Sequence, residues 1–225
     1  LNDTYTQMAQ TGSMLNAANN QLSHYPSRPS GMSDELYELG YSGTSSSNIA
    51  MTSWRSSLLK SLMMWMDDSD SSNIDRLGHR RWIMNPTMQQ TGFGYAVSNS
   101  GAAYSSVYVF DYDRHNMDVT GVAWPAMVMP KRYFDSSSAW SYSYGSSLNG
   151  NVSVKLQCLT TGRERTWNFS SAASDGYFNV DNGSYGQKGC VIFKPDSISI
   201  QAGEDYEVTI TQDAAVIADY TVHFF

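Results

Sequence analysis

The feature that most constrains this chain is a change of hydrophobic period near its middle. From residue 4 to about 84 the apolar residues recur at threes and fours: Tyr5, Met8, Met14, Leu15, Ala18 and Leu22, then Leu36 and Leu39, then Trp54, Leu58, Leu59, Leu62, Met63 and Trp65. That spacing puts them on single faces of helices, and three helices of unequal length is the simplest reading. Ser47-Asn48 supplies N-cap chemistry before the second long helix, and Ser71-Ser72-Asn73 does so before Ile74 to Met84, which Asn85-Pro86 stops. Past Pro86 the period falls to two, predicting strands at Gly92 to Val97, Ser106 to Tyr112 and Val119 to Trp124. The stripe Met51, Met63, Met64 and Met66 reads as core filler. A chain that changes period in this way is neither all-α nor all-β, and α+β is the expected class.

Pro125, Pro130 and the polar run Asp135 to Ser138 punctuate the middle of the chain, assigning residues 1–124 to one domain, 125–135 to a linker and 136–225 to a second domain. The second has no helical period. It reads as short alternating runs: Val152 to Leu156, Thr166 to Phe169, Tyr177 to Val180, Cys190 to Phe193, Tyr206 to Ile210 and Tyr220 to Phe225. Turn residues at Leu148-Asn-Gly-Asn151, Asp181-Asn-Gly183 and Gln201-Ala-Gly203 separate some of them, the pattern of an antiparallel β-sandwich. Both cysteines, Cys158 and Cys190, fall in strand-like runs and no third competes, so a disulfide in an oxidising compartment is expected.

Charge removes one class of partner. Lys and Arg number 14 against 21 Asp and Glu, a net charge of -7 that repels polyanions, so nucleic acid is not expected. The richest apolar stretch, Leu58 to Met66, is broken by Lys60 and Ser61 and is far short of the roughly 20 residues of a membrane span. Few lysines with abundant Ser, Thr, Asn and Tyr is the surface of many secreted proteins, and the expected location is outside the cell or on its surface.

Four short motifs carry a resemblance. Leu22-Ser-His-Tyr25 after a helix, Ser47-Asn-Ile-Ala50, Leu77-Gly-His-Arg-Arg-Trp-Ile-Met-Asn-Pro86 and Thr91-Gly-Phe-Gly94 follow one another as in the CAP superfamily of cysteine-rich secretory, antigen-5 and pathogenesis-related proteins. The resemblance is to the bacterial secreted branch and covers about residues 4–122. It implies an α-β-α sandwich for residues 1–124, with the family's first helix lying upstream of Leu1. It also implies a cleft built from two histidines and usually two acidic residues. The histidines match His24 and His79. The Glu of the family's Gly-Glu-Asn-Ile-Ala step falls on Ser47, so one carboxylate is missing, and Trp65-Met-Asp-Asp68 resembles the step that places the second acid at Asp68.

Two neutral imidazoles and a carboxylate can hold a zinc-like ion with one position open. Simpler readings stand beside this one. His24 just before Pro26 suits a helix C-terminus, and Asp67-Asp-Ser-Asp70 suits a solvated turn, whose oxygens lack calcium-loop spacing. His115 and His223 have no partner in the sequence. No Gly-x-Ser-x-Gly elbow appears, and the cysteines lie in the β half, so neither serine nor cysteine nucleophiles are expected. Trp124-Pro125 and Trp140-Ser-Tyr-Ser-Tyr144 either line a groove for a sugar or peptide or pack between domains. The expectation is a secreted or surface-attached CAP-like binding protein with a degenerate cleft of His24, His79, Asp68 and Ser47. It has no firm catalytic residue or cofactor, at most a weakly held divalent ion such as zinc at His24 and His79, and a lipid, glycan or protein ligand. The alternatives are a metal-assisted hydrolase of peptide or cell-wall substrates and an adhesive structural module.

Overall fold

The computed structural model describes residues 1–225 apart from Arg55, Asn116, Met117, Asp118 and Thr120. Its described residues form four α-helices and twelve strands, and none of those helices is long and apolar enough to cross a membrane. The chain divides into two units, residues 1–66 with 82–117, and residues 67–81 with 118–225.

The first unit contains α1 (Asp3–Asn19), α2 (Asp34–Ser45), β1 (Ser47–Thr52), most of α3 (Leu58–Asp67), the end of α4 (Gly78–Ile83), β2 (Phe93–Val97) and β3 (Ala103–Tyr108). The Asn2 side chain caps α1 by accepting the Tyr5 N–H, and Ser33 caps α2 through Leu36. The three strands form an antiparallel sheet in the order β1-β3-β2. Successive β3 residues face opposite helices. On one side Ser106 accepts from Ser13 of α1 at 3.0 Å and Tyr108 stacks on Tyr5 at 4.0 Å. On the other Ser105 accepts from Ser61 of α3 at 3.0 Å, while Trp65 packs with Ala50 and Val107. Helices cover both faces, so β3 is buried along nearly its whole length and the unit is an α-β-α sandwich. Glycines permit the close approach of α1: a Cβ at Gly94 would strike the Ala9 carbonyl, and one at Gly43 the Met8 carbonyl.

Three expectations change here. Ser47-Asn48 does not cap a helix; it opens β1, which pairs with β3 from Ser47 opposite Tyr108 to Thr52 opposite Ala103. The helix expected over Ile74 to Met84 contracts to α4, because Asp70 draws the preceding residues into turns by accepting from Ser72 and Asn73. Met51, Met63 and Met64 are exposed rather than core, since α3 turns Ser61 and Trp65 to the sheet.

The second unit is a β-sandwich. Sheet one has the order β4 (Val122–Trp124), β6 (Trp140–Ser143), β10 (Cys190–Pro195), β9 (Gly176–Asp181). Sheet two has the order β5 (Val128–Met129), β12 (Ala215–Phe224), β11 (Asp205–Gln212), β7 (Val152–Cys158), β8 (Arg165–Ser170). Alternate residues point into a shared core of Trp140, Phe169, Phe193, Tyr206, Val208 and Phe224. Each fully buried ring contributes on the order of 2–3 kcal/mol, so this core carries most of the unit's stability.

The linker assignment fails on side-chain burial: β5 pairs with β12, and Met129 and Phe134 lie in the core. Residues 67–81 join this unit as well, because Leu77 and Ile74 cluster with Ala139, Cys190 and Ile192 on the outer face of β10. The expected disulfide is absent: Cys158 and Cys190 are free and buried. The strand period explains it. Cys158 shares the inward face of β7 with Val154 and Leu156, whereas Cys190 points outward, opposite to the core-facing Val191 and Phe193.

Candidate functional site

Among the residues singled out in the sequence, the structure brings Asp68 and His79 together, both in the second unit. Asp68 follows the last residue of α3 with φ +48, a left-handed residue that ends the helix. Its carboxylate is 3% exposed and takes three hydrogen bonds from the start of α4. The His79 N–H donates to Oδ2 at 2.9 Å, His79 Nδ1–H donates to Oδ1 at 2.8 Å, and the Arg80 N–H reaches Oδ2 at 3.3 Å. Both oxygens are engaged, as a buried carboxylate requires. The bond to Nδ1 fixes the neutral ring with its lone pair on Nε2.

The two residues after His79 anchor α4. Arg80 is wholly buried; it donates to the Ala139 carbonyl at 2.9 Å, to Ser141 Oγ at 3.0 Å and to the Asp67 carbonyl. Burial lowers its pKa to about 10, against the pull of Asp68, and it stays charged at neutral pH. Arg81 pairs with Asp181 and donates to the carbonyls of Arg76, Gly183 and Gln187 at 3.0, 2.7 and 2.9 Å, with the Tyr185 ring 5.4 Å away. Asp67 accepts from Ser138 at 2.6 Å, and Ser69 accepts the Ala139 N–H at 2.8 Å, so the acidic turn is pinned to the strands beside it. Asp67 and Asp70 are both exposed, and at Asp70 the side-chain donors Asn73 and Ser72 hold the carboxyl below the usual range.

His24 and Ser47 belong to the first unit. His24 is exposed; its Nδ1 donates to the Thr44 carbonyl at 2.8 Å, and Thr44 Oγ1 donates back to the His24 carbonyl at 2.9 Å. Thr44 lies in the last turn of α2, so His24 satisfies one of that helix's terminal carbonyls, not one at the end of α1. Ser47 is buried at the start of β1, and its hydroxyl has no hydrogen-bond partner among the described residues. His115 is exposed, and His223 bonds to Asp205 at 2.8 Å on the surface. Trp140 is wholly inside the sandwich and Trp124 packs on Phe134, so these two rings pack within one unit.

Arg80 and Arg81 are the residues that the sequence pattern does not single out. Adjacent arginines in a stretch bounded by Leu77 and Trp82 were the available signal, since two consecutive long cations among apolar residues cannot both point away from the packed face of a helix, and one of them needs a partner.

An α-β-α sandwich followed by a β-sandwich, with a Gly-His-Arg helix bearing the second histidine, defines a two-part α+β protein. The family model of CAP, the cysteine-rich secretory protein family, matches residues 1–112, and the chain belongs to that family through this half. It is thus a CAP-like interaction protein. No curated protein matches the chain.

Proposed function

We propose that the chain is a secreted or surface-attached protein of the bacterial type that acts by binding and not by turnover, its family cleft reduced to a degenerate form. The observation that carries this is the commitment of Asp68. Its two oxygens hold His79 and cap α4, which makes Asp68 a positioning residue. The other acidic position is the neutral hydroxyl of Ser47. With Nδ1 bonded to a protein acceptor, each histidine offers at most a single nitrogen, Nε2, to a ligand, and no group of three or more His, Cys, Asp or Glu suited to a metal ion occurs among the described residues. A resident divalent ion needs three or more such ligands, so the donor set does not fit one. Zinc at His24 or His79 is accordingly weak, and no reaction step runs through it.

The hydrolase alternative is tested directly by incubating the purified chain, with added zinc, on casein and on isolated cell-wall peptidoglycan. Product release no greater than that of the His24→Ala/His79→Ala double variant is expected. Zinc-dependent release that the double variant loses would replace the binding reading with the hydrolase.

A further inference from the structure

The second unit carries a groove that the histidine residues do not touch. It has a volume of about 720 Å³ and opens where β8, the edge of the five-stranded sheet, faces β9, the edge of the four-stranded one. That volume lies within the roughly 300–1,000 Å³ of small-ligand sites.

Leu148, Val152, Phe178 and Val180 form an apolar floor, continuous with the sandwich core. Asn149, Asn182, Ser170, Ser171 and Ser174 form the rim. The rim is held in place by its own bonds. Asn182 exchanges two with the Leu148 backbone, at 2.8 and 2.9 Å, and the β8–β9 turn is tied by Ser170 to Ala173 and by Ser174 to Ser170. A site preorganised in this way loses less entropy on binding.

The chemistry of the lining selects the ligand. In a chain with 35 charged residues, none lines this groove. The carboxylates beside lining residues are occupied elsewhere: Asp175 accepts the Asn168 N–H at 2.7 Å, Asp181 pairs with Arg81, and Asp213, close to Gly150, accepts the Asn151 N–H at 2.9 Å. A phosphate, an ammonium or a carboxylate would enter without a countercharge and lose its hydration uncompensated. A neutral molecule does not meet that barrier. One with an apolar face for Phe178 and Val180, and hydroxyls for the exposed Asn149 carboxamide and Ser171 hydroxyl on the rim, matches this lining.

We infer that this groove binds an uncharged carbohydrate chain. The inference stands apart from the reading of His24 and His79, because neither lines the groove.

Affinity electrophoresis of the full chain in native gels tests it, with dextran, galactomannan or mixed-linkage β-glucan as neutral probes and polygalacturonate as the anionic one. At least one neutral polymer is expected to retard the protein. Ser171→Trp fills the groove from an exposed position and is expected to weaken that retardation about tenfold or more, with an unchanged thermal midpoint. Asn149→Trp, also on the exposed rim, is a second variant with the same expected result should Ser171→Trp disturb folding. No retardation by the three neutral polymers, retardation by polygalacturonate alone, or retardation unchanged in a folded blocking variant would overturn the assignment.

Discussion

Asp111 shows at the level of one residue how a buried charge holds a loop. Its Oδ2 accepts the N–H groups of Gln89 at 2.7 Å and Gln90 at 2.5 Å, and Tyr5 reaches its other oxygen at 3.5 Å. Burial pushes the carboxyl up, but the N–H groups of Gln90 and Gln89 outweigh it and hold it below the usual range. The unfolded chain, with an ordinary Asp near pKa 3.9, therefore binds more protons around pH 4 than the folded one. The stabilisation is complete above that value and is lost as pH falls through the folded value. Asp111→Asn is expected to cost about 1–3 kcal/mol at pH 7, and less at pH 3.5, by urea unfolding at the two pH values. An equal cost at both would show that the charge is not what holds the loop. Asp68 is likewise held by N–H groups that follow it in the chain. The motif locates the carboxylate and the histidine, but only coordinates show that both oxygens are already taken.

At the scale of elements, the strands of the sandwich were legible because an alternating run with turn residues at its ends has one stable interpretation. β7, β10 and β11 fall where the period of two puts them. β1 was not, because only Ile49 and Met51 of its six residues are large and apolar, Ser47-Asn48 also suits a helix cap, and its strand character comes from pairing with β3, whose partners lie more than 50 residues on. The Gly-x-Gly step has a local cause that a side-chain pattern cannot display: Gly94 lies against the Ala9 backbone of α1. Backbone cannot swing aside as a side chain can, so Gly94→Ala is expected to lower stability by about 1–3 kcal/mol in chemical denaturation. A loss under about 0.5 kcal/mol would mean that α1 shifts away freely. At α4, the sequence located the histidine but not the arginines beside it, since a helical wheel places residues on faces without saying what lies opposite.

For the whole molecule, the segment 67–81 is decisive, because it lies in the family half of the sequence yet packs with the β-sandwich. The change of hydrophobic period marks two parts but not this exchange, which depends on Leu77, Arg80 and Arg81 meeting residues about 60 to 115 positions later. A fragment of residues 118–225 lacks that segment. It exposes Cys190 and Ile192 and strips Asp181 of its arginine. Such a fragment is expected to melt at least about 5 °C below the corresponding transition of the intact chain, as the loss of about 1–3 kcal/mol would give. A fragment as stable as the intact chain would show that the sandwich does not need residues 67–81. On the function proposed for the chain, His24 and His79 hold zinc only weakly. Calorimetric titration with zinc near pH 7.5 tests this on the wild type, Ser47→Glu and the His24→Ala/His79→Ala variant. Weak binding by the wild type, tightened about 10- to 100-fold by Ser47→Glu and abolished in the double variant, is predicted. Tight one-to-one zinc in the wild type, or equal binding by all three proteins, would contradict it.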